Sequence, residues 1–287
     1  MAEEDVLTSF GGGAGDDDHA ETDFDTTVAH PARVWDYLLG GKDNFGADRT
    51  AGEQVLRIMP EMGLVARGGR EFLARAVHFL AAEAGIRQFL DIGTGLPTAD
   101  NTHEVAQRAA PQARIVYVDN DPIVLAHARA LLTSDPRGET AYISADIRDT
   151  DTILREAGQT LDFTQPVAVM LLAILHFIPD RDDPHAIVAR LMRATAPGSY
   201  LVISHASSDI MAQTVAAGAV TYNQHSAVSI NLRTEQQVAR FFDGLELVPP
   251  GMTPLGHWRT GAVNVGALPL LPTYTAVGRK PSDPSPG

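Results

Sequence analysis

The chain has 287 residues, of which 44% are hydrophobic, so it can form one large domain or two small domains with a substantial core. It has no cysteine, which excludes disulfides, thiolate metal sites, iron–sulfur clusters and a cysteine nucleophile. The formal net charge of −14 disfavours a basic, nucleic-acid-binding surface, and no apolar run reaches the length of about 18 residues that a membrane span needs.

The acidity is concentrated at the N-terminus. Residues 1–27 hold nine Asp and Glu residues and no Lys or Arg, whereas the rest of the chain has 27 acidic and 22 basic residues. Because this segment has few large apolar groups, it predicts a disordered acidic tail, with a partner-binding arm as the alternative. The first residues lack the basic and apolar regions of a secretory signal, so we expect a cytoplasmic protein.

Residues 28–85 predict an N-terminal cap of about three helices. Apolar residues recur at helical spacing over 31–39, and a glycine-rich break follows at 40–45. Two further helical patterns cover 48–59 and 65–84. We expect this cap to precede the first strand of a sheet.

From residue 86 to residue 280, strands and helices alternate, which is typical of a doubly wound α/β fold. Uniformly apolar strands, such as those predicted here, belong in a parallel sheet that is covered on both faces. The predicted strands are 88–92, 114–119, 140–144, 166–172 and 199–204, followed by a strand pair at 246–248 and 273–278. The predicted helices are 102–110, 122–132, 184–194, one near 209–217 and one at 234–242, which Thr234 and Gln237 open with a capping box. Residues 281–287 are expected to be frayed.

Acidic residues stand at the ends of three predicted strands. Asp91 precedes a turn that contains Gly93, Thr94 and Gly95; Asp119 ends the second strand, and Asp146 follows the third. Ligands of such sheets bind at the carboxyl ends of the strands, so we expect these groups to meet at one site. A carboxylate at Asp91 would repel a pyrophosphate, but it suits a ligand that has an ammonium group and a sulfonium. S-adenosylmethionine is such a ligand.

An adenosine ligand also explains the other two acids. Asp119 can accept hydrogen bonds from both ribose hydroxyls, and Asp146 can accept one from the adenine amine while Ile147 covers the ring. Asp121 is an alternative ribose acceptor, but its place before Pro122 favours a role as helix N-cap. Asp149 and Asp151 are interpreted in the same way, as caps of the next helix.

These motifs resemble those of S-adenosylmethionine-dependent methyltransferases with a seven-stranded Rossmann-like sheet. Segments 33–49, 91–98 and 117–122 are more closely similar to an actinobacterial methyltransferase family that was long classified as a domain of unknown function. The resemblance implies a mostly parallel sheet in the order 3-2-1-4-5-7-6, with S-adenosyl-L-methionine as cofactor and S-adenosyl-L-homocysteine as product. It implies cofactor-binding roles for Asp91, Gly93, Thr94, Gly95, Asp119, Asn120, Asp146, Ile147 and Leu172.

The resemblance also implies a helical lid over the methionine end of the cofactor. Tyr37 and Phe45 could shield the sulfonium there, with packing inside the cap as the alternative for both. Lys42 and Arg49 could bind the methionine carboxylate, although Lys42 suits a solvated surface position. His176, after the fourth strand, is either a general base for the acceptor or a buried packing residue.

The sequence therefore predicts a methyltransferase that acts on a small-molecule oxygen or nitrogen acceptor by in-line transfer. Nucleic acid is disfavoured as substrate because the chain lacks the Asn/Asp-Pro-Pro-aromatic run of enzymes that methylate base amines. We expect no metal and no membrane partner. One alternative is a non-catalytic S-adenosylmethionine-binding regulatory or partner protein. Another is an NAD-dependent oxidoreductase, disfavoured by Asp91 and by Thr98 at the place of the third fingerprint glycine.

Overall fold

The computed structural model describes residues 25–98, 100–131, 133–260 and 269–282. The predicted acidic tail lies outside these ranges up to residue 24, as does the predicted frayed end from residue 283 onward. Within the described ranges, no helix combines the length and the apolar character that crossing a membrane requires.

In the described part of the chain, eight strands form one sheet in the order β3-β2-β1-β4-β5-β8-β6, with β7 paired to β8. The first five strands are parallel, and β8 runs antiparallel to its neighbours β5, β6 and β7. The strands are β1 (Gln88–Ile92), β2 (Arg114–Asp119), β3 (Glu139–Ser144), β4 (Ala168–Leu172), β5 (Tyr200–Ala206), β6 (Glu246–Leu247), β7 (Thr253–Leu255) and β8 (Leu271–Arg279). The predicted doubly wound α/β class is confirmed.

The sheet differs from the prediction by one strand. We expected seven strands in the order 3-2-1-4-5-7-6, and this order holds once the last strand is counted as β8. The additional strand, β7, lies in the segment predicted as a long loop. It has only three residues and contains Pro254, which cannot donate to a ladder, so its sequence carries little strand signal.

Helices cover both faces of the sheet. Successive residues of β1 point to opposite faces of the sheet, because Phe89 belongs to one buried apolar cluster and Leu90 to the other. Thr234 and Gln237 form the expected capping box, and Asp149 accepts from the backbone N–H of Thr152 as an N-cap. Besides the cap helices, the helices are α4 (Thr102–Ala109), α5 (Pro122–Leu131), α6 (Thr150–Ala157), α7 (Pro184–Ala194), α8 (Ala212–His225) and α9 (Glu235–Ala239).

The cap begins with α1 (Pro31–Leu38) and α2 (Gly46–Ile58). It continues with α3 (Met62–His78), which ends in a π-helical turn at Phe79–Glu83. Helix α2 packs on both α1 and α8, and α3 packs against α4 and β8. The cap therefore packs against α8, a helix from the second half of the chain. The domain boundaries at residues 28 and 86 remain predictions.

Helix α8 is longer than predicted, because it continues from the expected end at residue 217 to His225. Its small residues give weak apolar periodicity. Its buried positions are Val215, Gly218 and Tyr222, which are spaced by three and four residues and so share one face. This face turns toward α2.

Candidate active site

A cavity of about 270 Å³ opens at the carboxyl ends of the parallel strands. Its polar half is formed by the strand ends and the loops after them. Its apolar half lies beneath the cap and α8. The predicted site residues that line it are Asp91, Gly93, Thr94, Gly95, Asp119, Asn120, Asp146, Ile147, Leu172 and His176.

The turn after β1 depends on its glycines. Gly93 and Gly95 have φ angles of +76° and +68°, in the left-handed region that favours glycine. A Cβ on Gly93 would collide with Ile174, which follows β4. The Gly93 backbone N–H donates to the Val118 carbonyl oxygen at 2.8 Å. The turn is thus held between β2 and the segment after β4, with its backbone facing the cavity.

Asp91 is buried at the end of β1, where it accepts a hydrogen bond of 2.6 Å from the Thr102 hydroxyl. Burial raises the pKa of its carboxyl to about 6, against the opposing effects of Thr102 and Arg70, and the charge of Asp119 adds to the rise. Arg70, on α3, lines the same cavity, and burial lowers its pKa although the charge of Asp91 opposes this. Sequence reasoning missed Arg70.

Asp119 is held by backbone donors. Its Oδ2 accepts from the N–H of Gly95 at 3.0 Å, and its Oδ1 accepts from the N–H of Asp121 at 2.9 Å. Burial raises its pKa, and these two hydrogen bonds oppose that rise. Each carboxylate oxygen has a second acceptor position, so the group can still receive two hydroxyl donors.

Asp121 is engaged elsewhere. Its Oδ1 accepts from the N–H of Ile123 at 2.9 Å, in the first turn of α5. Its Oδ2 lies 3.0 Å from His30 Nδ1 and 3.6 Å from Arg33 Nε. Burial raises its pKa, but the hydrogen bond and charge of His30 outweigh this and lower it. The structure favours the predicted capping role and shows a second one, the attachment of α1 to the end of β2.

The third strand end carries the group predicted for adenine. Asp146 accepts from the backbone N–H of Arg148 at 2.9 Å and from the side-chain amide of Asn120 at 3.4 Å. Ile147 is buried and packs into the core beside it. One carboxylate and one apolar side chain therefore stand together at this edge of the cavity.

Tyr37 and Phe45 do not line the cavity among the described residues. A Cβ on Gly52 of α2 would overlap the Tyr37 ring, so this ring packs closely against that helix. Phe45 packs on the cluster that contains Leu96, and the Arg33 guanidinium lies 5.5 Å from its ring centre. The structure favours packing inside the cap for Tyr37, whereas Phe45 packs between the cap and the segments that contain Leu96 and Ile123.

The two cations predicted for the methionine carboxylate also lie away from the cavity. Lys42 is exposed, and Arg49 donates to the Asn44 backbone carbonyl at 2.7 Å. Neither contributes to the cavity wall of the described chain, whereas Arg70 does. Arg70 therefore brings a positive charge to the wall from α3, and Arg148 brings another from the loop after β3.

His176 lies in a 3₁₀ turn, Leu175–Phe177, directly after β4, and it is buried in the cavity wall. Its carbonyl oxygen accepts from the backbone N–H of Asn231 at 2.7 Å. Burial lowers the pKa of its imidazole well below the usual value, and the charges of His205 and Arg233 lower it further. The ring is therefore neutral near pH 7 and is a weak base.

A buried arginine, which sequence reasoning also missed, holds the turn that carries His176. Arg233 donates to the carbonyl oxygens of Leu175 and Ile178, each at 2.9 Å, and to Asp180 at 2.6 Å. Its Nη1 lies 2.8 Å from His205 Nε2. Because Arg233 is a donor, this nitrogen of His205 is the acceptor. One side chain therefore bonds to three residues of the segment after β4.

The apolar half of the cavity is built from the cap and from the chain after β5. Helix α2 contributes Val55, and Met59 follows at its end, while α8 contributes Gly218, Ala219 and Tyr222. Val228, Ile230 and Leu232 complete this wall. Over the described ranges, no three His, Asp or Glu side chains are grouped so that they could hold a metal ion.

The sheet and these strand ends define a Rossmann-like protein of the nucleoside-binding class. The matching model of the S-adenosyl methyltransferase family covers residues 17–281. The chain belongs to this family, and its cofactor is S-adenosylmethionine. Membership decides against the NAD-dependent oxidoreductase.

The observed site fits this cofactor. The turn lines the cavity with two glycines in the left-handed region, and Asp119 has acceptor positions for ribose hydroxyls. Carboxylates at Asp91 and Asp146 suit a cationic adenosine ligand better than a phosphate.

Two crystal structures of similar proteins have the same fold. A DUF574 family protein from Streptomyces avermitilis is 45% identical, with a TM-score of 0.86, and the match covers 89% of this chain and 99% of the other. A protein from Thermobifida fusca, described as a candidate methyltransferase, is 39% identical, with a TM-score of 0.82 and coverage of 89% and 96%. No curated protein matches the sequence.

Proposed function

We propose that the protein transfers the methyl group of S-adenosylmethionine to an oxygen or nitrogen atom of a small, largely apolar acceptor. The observation that carries this proposal is the continuity of the cavity. Its polar half lies at the strand ends, and the same space extends under α2 and α8 between side chains such as Met59 and Ile230. Apolar pockets with a few polar groups are typical sites for small molecules.

The chain's residues would divide the binding of the cofactor between them. Asp119 would accept from the ribose hydroxyls, and Asp146 with Ile147 would hold the adenine. Arg70 would bind the methionine carboxylate, since it brings a positive charge to the wall beside Asp91. When bound, S-adenosylmethionine supplies an electrophilic methyl group on a sulfonium.

The remaining residues would align the acceptor and exclude water. Leu172, the last residue of β4, and His176, in the turn after it, both line the cavity. Because the pKa of His176 is low, its imidazole is suited to orienting the acceptor by a hydrogen bond more than to holding a proton taken from the acceptor. Alignment in a dry pocket accounts for a large part of the rate enhancement of such transfers.

A product screen tests this proposal. The protein would be incubated with methyl-labelled S-adenosylmethionine and a library of hydroxylated or aminated apolar compounds, and products would be detected by mass spectrometry. We expect methylated products. Binding of S-adenosylhomocysteine without transfer to any compound would favour the non-catalytic alternative.

A matched pair of variants would show where the acceptor binds. Gly218 lines the cavity, and a Cβ added to it would meet only Met59 Sδ, at 3.8 Å, so the added side chain would extend into open space. Val220 on the same helix is 59% exposed. Gly218→Phe should abolish transfer and keep S-adenosylhomocysteine binding, whereas Val220→Phe should change neither. Full activity of Gly218→Phe would place the acceptor elsewhere.

A further inference from the structure

A buried carboxylate in the cap has no assigned role. Asp36, on α1, is 5% exposed and lines the cavity. Its Oδ2 accepts a hydrogen bond of 2.8 Å from the side-chain amide of Asn44. The Cα of Gly41 packs against the same carboxylate so closely that a Cβ there would overlap it. The glycine-rich break therefore forms a fitted pocket around this side chain.

Within the described part of the chain, no Lys, Arg or His side chain forms an ion pair with Asp36. Two other carboxylates in the polar half differ in this respect, because each has an arginine nearby. Asp146 pairs with Arg148, and Asp91 interacts with Arg70. Because a buried ionised carboxylate is costly unless a positive group compensates it, the cavity beside Asp36 is suited to a cationic ligand group.

The position of Asp36 indicates which end of the cofactor it faces. Ala32, one helical turn earlier and on the same face of α1, packs against the cluster that contains Leu96. Leu96 directly follows Gly95 in the turn after β1. Asp36 therefore lies on the side of the glycine turn, where the methionine part is expected.

We propose that the Asp36 carboxylate binds the ammonium group of the methionine part of S-adenosylmethionine. The proposal rests on the proposed function, because it requires this cofactor. An ammonium group has N–H donors for a charge-assisted hydrogen bond, whereas a sulfonium has none. Asn44 fixes the carboxylate, and Arg49 in turn donates to the Asn44 side chain at 3.1 Å. The cap would thus recognise the amino-acid end of the cofactor.

Calorimetry with two ligands tests this assignment. S-adenosylhomocysteine carries the ammonium group, and 5′-methylthioadenosine keeps the adenosine and the sulfur without the amino acid. Asp36→Asn should weaken binding of the first about tenfold or more and leave that of the second within about threefold. Asp43→Asn is the matched control, since Asp43 lies in the same break and its side chain is 47% exposed. It should change neither affinity.

A third ligand keeps the test decisive if Asp36→Asn folds poorly. Deaminated S-adenosylhomocysteine should bind the unchanged protein about tenfold more weakly than the parent ligand does. The Asp36→Asn variant should bind this deaminated ligand only slightly more weakly than the unchanged protein does. The assignment would be overturned if Asp36→Asn weakened the binding of all ligands equally, or if it left the affinity for S-adenosylhomocysteine unchanged. Failure of the unchanged protein to bind S-adenosylhomocysteine would instead reject the proposed function.

Discussion

The carboxylate of Asp119 accepts a hydrogen bond from the backbone N–H of Gly95 at 3.0 Å, which joins the end of β2 to the turn after β1. Asp119→Asn keeps one acceptor oxygen and loses the other, so it cannot serve both this N–H and two ribose hydroxyls. We expect S-adenosylhomocysteine binding to weaken by about 1.5–3 kcal/mol, measured by calorimetry. Asp121→Asn is the control and should lower stability with little effect on affinity. The reverse pattern would make Asp121 the ribose acceptor.

Asp91→Asn should stabilise the ligand-free protein at neutral pH. The folded-state pKa of Asp91 is about 6, above the unfolded value of 3.8, because burial disfavours the charged form. The stability that the Asp91 carboxyl contributes by binding its proton more tightly in the folded protein is thus present below about pH 4 and is lost as pH rises through 6. The asparagine avoids this loss, so the variant should gain roughly 3 kcal/mol relative to wild type between pH 4 and pH 7. Urea denaturation at several pH values measures this gain, and a difference independent of pH would contradict the prediction.

Arg233→Met should destabilise the protein by at least about 3 kcal/mol, because it leaves the buried carbonyl oxygens of Leu175 and Ile178 without their donor. Asp180→Asn removes the same arginine's ion pair with an exposed carboxylate and should cost less than about 1 kcal/mol. Denaturant unfolding measures both costs. Faster amide hydrogen exchange in the turn around His176 should accompany the first change only. Similar losses for both variants would show that the ion pair matters more than the carbonyl contacts.

His205→Gln should reduce the acid sensitivity of the fold. Burial, foremost, lowers the pKa of His205 to about 3, far below its ordinary value of 6.5. As pH falls, His205 takes up a proton in the unfolded chain before it does so in the folded protein. The stability that the neutral imidazole contributes is therefore present above pH 6.5 and is lost as pH falls toward 3. Between pH 6 and pH 4, wild type should lose about 1.4 kcal/mol per pH unit more than the variant. Parallel stability curves for the two proteins would exclude His205 as the source.

Most of the polar half of the cavity could be predicted from the sequence because its residues stand at strand ends. A strand predicted from a short apolar run fixes where the next residue lies, so Asp91, Asp119 and Asp146 could be assigned to one edge of the sheet. The capping residues Thr234 and Asp149 were equally accessible, since their partners lie three residues away. Local rules suffice for such features.

The missed residues depend on contacts between distant parts of the chain. Arg233 bonds to carbonyls that lie 55 and 58 residues earlier, and no spacing rule links such positions. Arg70 and Asp36 lie on helices whose placement over the sheet follows from packing. A signal was nevertheless present for Asp36, which stands between apolar positions of α1. A charge at such a position indicates a specific partner.

The two halves of the cavity come from different parts of the architecture. Strand ends form the polar half, whereas the apolar half is formed by α2, which precedes the first strand in sequence, and by α8, which lies between β5 and β6. Under the proposed function, a substitution at Met59 or Ala219 would change the space for the acceptor without altering strand register. Acceptor selectivity could then be altered through these two helices while the strand ends that are expected to hold the cofactor stay unchanged.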